Sequence, residues 1–174
     1  KMSKSIGNII SPIELIDDYG IDPVRYYLMR EMVLGQDASF TLDSFNKRYN
    51  SDLANDFGNL LSRVTTLIIK NYEGKIPSPG VLKEDELNLK EDSQLLCTGV
   101  FKKIEKMELN EAIEDIMNFI RNVNKYMEKN APWKMVKEDR TNAGTVLHTA
   151  AESLRIAAVL LSPIMPYYTK KLLK

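Results

Sequence analysis

Apolar residues recur at steps of three and four along most of this chain, and that spacing confines it to packed helices. Between Thr41 and Tyr72 the stripe is Leu42, Phe45, Tyr49, Leu53, Phe57, Leu60, Leu61, Val64, Leu67 and Ile68. These positions share one face of a 3.6-residue period, and Thr41 is placed to cap the helix. Ile113, Ile116, Met117, Ile120, Val123 and Met127 form a second stripe, with Asn110 as its predicted cap and Asn130-Ala131-Pro132 as its end. Val146, Leu147, Ala150, Leu154, Ala157, Ala158 and Leu161 form another, starting near Asn142 and stopped by Ser162-Pro163-Ile164-Met165-Pro166. A further helix is predicted from about Asp85 to Met107, after a break at Gly74 and Pro77-Ser78-Pro79-Gly80. No segment alternates for long enough to read as a strand. Amphipathic helices with short connections pack as a bundle. The predicted fold is all-α: a bundle of about five main helices with a short N-terminal helical appendage.

The appendage is legible in its start signals. Ser11-Pro12-Ile13-Glu14 combines a capping residue, a first-turn proline and an acidic residue three positions on. Gly20 can close this helix in a left-handed conformation. Asp22 is the predicted cap of a second helix, opened by Pro23 and running from Val24 to Met32. A turn-rich connector follows from Val33 to Phe40. The predicted division is therefore 1–40 for the appendage and 41–174 for the bundle.

Composition narrows the chemistry. One Cys and one His among 174 residues exclude a disulfide framework and leave too few soft ligands for a zinc site; no metal site is predicted. No apolar run reaches the ~20 residues that span a bilayer, no signal peptide opens the chain, and the expected setting is reducing and cytoplasmic. The 24 basic residues are balanced by 24 acidic ones, so the chain cannot coat nucleic acid by charge alone. Reading a few exposed bases by stacking and hydrogen bonding remains open to it. The chain starts at Lys1 and stops at Leu172-Leu173-Lys174 within a helical pattern, as expected of a piece of a longer protein.

Lys1-Met2-Ser3-Lys4-Ser5 places two ammonium groups and two hydroxyls within five residues. Such a loop can neutralise charge as it develops on a leaving pyrophosphate; taken alone the pentapeptide is a weak signal and reads first as a solvated loop. It is followed by Gly7-Asn8, the capped helix, Tyr19-Gly20-Ile21-Asp22 and Arg25-Tyr26-Tyr27-Leu28. This succession resembles the stretch just after the catalytic fold of class I aminoacyl-tRNA synthetases. The resemblance implies that Lys4 contacts ATP with help from Ser3 and Ser5, that Lys1 and Lys4 are catalytic, and that the short helices lie along the inner bend of tRNA. The His-x-Gly-His signature of that family is missing, since the only histidine is His148 inside a helical pattern. The nucleotide-binding α/β fold is missing too, so the chain is expected to be inactive alone and to bind no ATP by itself.

Farther on, the resemblance narrows. Gly35-Gln36-Asp37, the run from Arg48 to Arg63 and the distant Ala131-Pro132-Trp133-Lys134 are together similar to the methionyl-tRNA synthetase family. Asn55, Asn59 and Arg63 are spaced i, i+4, i+8, one face of an α-helix, and Asn55 is about 200° around from Leu53 of the core stripe. Asparagine amides suit base edges and the arginine fork suits a base or a phosphate. Trp133, the only tryptophan, could stack on an unpaired base. Seen separately, such a row is a solvated face and such an indole a bundle cap. The resemblance assigns Asn59 and Arg63 to anticodon bases, with Asn55 assisting, Trp133 stacking on the first base and Pro132 orienting the indole. A basic stretch from Arg121 to Arg140 could hold phosphates nearby. His148 and Cys97 read as packing residues.

The function this implies is anticodon recognition within a ligase that joins methionine to a tRNA bearing CAU, using ATP. Methionine and ATP would be handled only with the absent catalytic part, and neither a membrane nor DNA is expected as a partner. Two other readings stay open at this point: a helical protein-interaction scaffold, and the anticodon domain of a leucyl, isoleucyl or valyl relative.

Overall fold

A computed structural model describes residues 11–174. The roles assigned to Lys1, Ser3, Lys4 and Ser5 therefore lie outside the described residues. The chain runs through α1 (Pro12–Tyr19), α2 (Ile21–Glu31), α3 (Leu42–Arg48), a π-helical segment (Tyr49–Gly58), α4 (Asn59–Tyr72), α5 (Glu84–Glu105), α6 (Leu109–Asn130), α7 (Pro132–Met135), α8 (Arg140–Leu161) and α9 (Pro166–Leu172). All regular structure among the described residues is helical, as the apolar periodicity required. No helix among them is long and apolar enough to cross a membrane.

The amphipathic helix α6 is the axis of the bundle. Its stripe, including Ile113, Ile116, Met117, Ile120, Val123 and Met127, is buried, and α5, α8, α2 and the π segment pack around it. Leu147, Ala150, Ala157 and Leu161 of α8 and Leu60 and Val64 of α4 close the same core. One buried polar pair crosses it: the Tyr126 hydroxyl donates to Glu86 Oε1 at 2.6 Å, while Glu86 Oε2 accepts from the Lys83 backbone N–H at 2.8 Å. Both carboxylate oxygens are thus partnered, which is what makes a buried Glu tolerable. Burial and then the Glu86 carboxylate hold the Tyr126 hydroxyl well above its ordinary pKa.

A second aromatic cluster joins the appendage to the bundle. Leu15, Val24, Tyr27 and Phe45 are buried together, with Tyr19 edge-on to Phe45 at 4.9 Å and Tyr27 edge-on to it at 5.4 Å. Arg25 reinforces the junction by donating to the Ile164 and Pro163 carbonyl oxygens, each at 2.8 Å.

Several local expectations change in the structure. The helix from Thr41 to Tyr72 is capped by Thr41, whose hydroxyl accepts from Ser44 N–H, but it is not α-helical throughout. Its middle is π-helical, and Gly58 shows why the chain tolerates that: a Cβ there would lie 2.9 Å from the Leu53 carbonyl oxygen. The wider turn also buries adjacent residues, Asp52 under Tyr26 and Leu53 in the core. Asp22 does not cap α2. Gly20 takes the cap position at φ 84°, and Asp22 is buried against α9 instead. The α6 cap position is Glu108 rather than Asn110, and α8 begins at Arg140, capped by the Asp139 side chain accepting from Asn142 N–H. Pro166 opens α9 as well as ending what precedes it, because a proline at the first helical position gives up only an N–H that has no partner there.

Candidate nucleic-acid interface

The helix α4 emerges from the π segment with Asn59 exposed at its first residue and Arg63 half-buried one turn on. Across from it, α6 ends at Ala131, whose φ of 42° and ψ of 58° put a non-glycine residue in the left-handed region and turn the chain sharply. Pro132 follows at the start of α7 and is buried. That anchor holds the next residue, Trp133, at the surface facing α4, 39% exposed.

The turn brings Trp133 to Arg63. The Arg63 guanidinium carbon lies over the indole, 5.1 Å from the ring centroid, within the range of a cation–π contact. Arg63 Nη1 is also 3.7 Å from Glu128 Oε1 on the last turns of α6. Ser62, Arg63, Thr66 and Leu67 of α4 and Trp133 of α7 line a shallow recess of about 380 Å³. Its lining combines an indole, a guanidinium, two hydroxyls and an aliphatic side chain, a surface suited to a flat heterocycle with polar edges.

Asn55 stands apart from this group. It is exposed but belongs to the π segment, where a turn holds more residues than an α turn. The i, i+4 step from Asn55 to Asn59 therefore does not have the angular meaning that an unbroken α-helix would give it. Asn59 and Arg63 keep the α-helical relationship within α4.

The basic stretch around the tryptophan is largely committed to structure. Arg121 donates to Asp56 at 2.8 Å, to Glu114 at 2.9 Å and to Asn118 at 2.8 Å, and approaches buried Asp52 at 3.3 Å. Lys129 pairs with Asp85 at 2.8 Å. Arg140 donates to the Asn71 carbonyl oxygen at 2.5 Å and covers the Tyr72 ring. Of that stretch, Lys125, Lys134 and Lys137 remain as exposed cations free of such ties among the described residues. Phosphate attraction at this surface is correspondingly modest.

Beneath the surface, Asp52 collects Tyr26, Ser51, Arg48 and Arg121 around one carboxylate. Arg30 adds a 4.0 Å approach and pairs with Glu114. This network joins α2, the π segment and α6, while α4 itself packs against the π segment and α8.

Residues 76–174 match the family model described as the anticodon binding domain of methionyl tRNA ligase. The chain belongs to that family. Residues 1–65 match a second model, tRNA synthetases class I (M). Methionine–tRNA ligase of Caldanaerobacter subterraneus is 42% identical over 174 residues, covering 99% of this chain and 27% of that protein. The Lactococcus lactis enzyme is 45% identical over 167 residues, covering 95% and 25%. Mycobacterium tuberculosis methionyl-tRNA synthetase in complex with methionyl-adenylate superposes with a TM-score of 0.96 at 36% identity, over 99% of this chain and 35% of that one. The chain thus spans about a quarter to a third of the length of these relatives. Membership in the methionyl anticodon-binding family takes precedence over the scaffold reading and over a leucyl, isoleucyl or valyl relative.

Within this anticodon-binding domain, the side chains of this surface that the sequence did not mark as functional are Glu128, Ser62, Thr66 and Leu67, the last read there only as part of the apolar stripe. Glu128 is an acidic residue inside the basic stretch from Arg121 to Arg140. Its contact with Arg63 spans 65 positions, and no local spacing encodes it.

Proposed function

We propose that this chain reads the anticodon of a tRNA at the surface formed by α4 and the α6–α7 turn. The observation that carries the reading is the placement of Arg63 over Trp133 beside a base-sized recess. Trp133 would stack on an unpaired base, a contact worth ~1–3 kcal/mol. Arg63 and Asn59 would hydrogen-bond base edges, Pro132 would hold the indole in position, and Asn55 would assist from the neighbouring π segment. The favoured anticodon is CAU, by similarity to methionine-specific relatives. The division belongs to the same reading: 1–40 as the loop and stem-contacting helices, 41–174 as the anticodon-binding bundle.

The longer protein of which this chain would form a part is proposed to join methionine to tRNA with ATP. The methionyl-adenylate in the Mycobacterium tuberculosis relative supports that assignment. In that protein Lys1 and Lys4 would act in catalysis, with Ser3 and Ser5 helping Lys4 to hold ATP.

The test is a titration of the 174-residue chain against an anticodon stem-loop carrying CAU and against the same hairpin with a changed anticodon. Preference for CAU that disappears in Trp133→Ala, with the far-ultraviolet circular dichroism unchanged, supports the reading. Equal affinity for both hairpins, or none for either, rejects it for this chain.

A further inference from the structure

We infer that Glu128 is a specificity-determining residue of this surface, one that withholds Arg63 from phosphates and yields it to a base in the recess. The inference rests on the anticodon reading above. Arg63 has two restraints in the free protein: the Glu128 carboxylate at 3.7 Å and the Trp133 face at 5.1 Å. Both engage the guanidinium of a residue that lines the recess together with Trp133.

An acceptor inside the recess can take Arg63 from Glu128 without pulling it out of the site. An acceptor outside, such as a backbone phosphate, must detach it from the carboxylate and from the indole together. The exposed ion pair is weak by nature, and that suits the role. A strong pair would lock Arg63 against every ligand, whereas a weak one tilts the balance between two classes of acceptor. The chain has no net charge, and two cations of the basic stretch, Arg121 and Lys129, are already paired. A loosely held Arg63 would then be among the few strong phosphate ligands at the site, and phosphate contacts carry no sequence information.

Glu128→Gln tests this, because the side chain is 68% exposed and the substitution preserves its shape. Glu138→Gln serves as the control: it removes an equal charge from an exposed position of the same segment. The probes are the CAU hairpin and the changed-anticodon hairpin, titrated at two salt concentrations. In Glu128→Gln the changed hairpin is expected to bind about two- to fivefold tighter while CAU binding moves less, so that discrimination narrows. The salt slope should steepen by about one, one phosphate contact being added. Trp133, the only tryptophan, should also become more accessible to acrylamide quenching in the RNA-free variant, as Arg63 leaves its face. Glu138→Gln should leave the ratio between hairpins unchanged. An unchanged ratio in Glu128→Gln overturns the inference whatever the fluorescence does, as does an equal narrowing in both variants. Wild-type chain that fails to prefer CAU rejects the anticodon reading itself, and the inference with it.

Discussion

Asp22 accepts the backbone N–H of Tyr168 at 2.7 Å, so an aspartate near the start of the chain caps the last helix. The carboxylate is 1% exposed and sits at the N-terminal turn of α9, where free N–H groups and the helix dipole favour a negative charge. With the Arg25 contacts to Pro163 and Ile164, it binds α2 to both sides of the α8–α9 turn.

Asp22→Ala should therefore destabilise the chain by about 1–2 kcal/mol, the usual range for loss of a side-chain cap. Urea unfolding measures this. Hydrogen exchange should show the amides of α9 losing protection first. A variant as stable as the parent, with α9 equally protected, would show that the cap is dispensable.

Gly58→Ala should also destabilise, by about 1–3 kcal/mol. In an ordinary helix this substitution helps by up to ~1 kcal/mol, because alanine has the better propensity. Here the added Cβ meets the Leu53 carbonyl oxygen at 2.9 Å, and backbone cannot move aside as a side chain can. The sign of the change in urea midpoint is the decisive reading. A stabilised variant would mean that the π segment relaxes to α-helix without cost.

Trp133→Ala should leave the fold nearly intact, since the indole is 39% exposed and lies at the bundle's edge. Affinity for the CAU hairpin should fall about fivefold to a hundredfold, corresponding to one lost stacked base. Trp133→Phe should recover part of the loss, because a smaller aromatic face still stacks. Fluorescence anisotropy of a labelled hairpin would check both variants.

Stability should decline in alkali through the buried tyrosines. Burial and then Asp52 raise the Tyr26 hydroxyl well above its ordinary pKa; burial and then Glu86 do the same for Tyr126. A group raised in the fold contributes stability that is complete below its unfolded pKa, about 10 for tyrosine, and is lost as pH rises beyond that. Unfolding midpoints should therefore drop above about pH 10. Tyr26→Phe should cost about 1 kcal/mol at neutral pH through the lost hydrogen bond to Asp52, yet show a shallower alkaline decline. A decline as steep as in the parent would shift the cause to other groups.

Local spacing of apolar residues settles the rods and their inward faces. Periodicity is a local property: Ile113, Ile116, Ile120 and Val123 must share a face once the segment is helical, and nothing distant can change that. The sequence also carried Arg63 and Trp133 as residues of interest, through the runs similar to the methionyl family. What it could not carry was any relationship set by the residue standing opposite. Asp22 reads as a cap for its own helix, and it caps α9 because α2 packs there. Arg121 reads as a phosphate ligand, and it is spent on Asp52 and Asp56 because α6 lies against the π segment. The widened turn at Tyr49–Gly58 follows from burying Asp52 and Leu53 side by side against different neighbours. The junction of Arg63, Glu128 and Trp133 depends on the left-handed turn at Ala131 and on the bearing of α4. Side-chain partners of this kind are chosen by packing among segments far apart in the chain, and no local pattern encodes them.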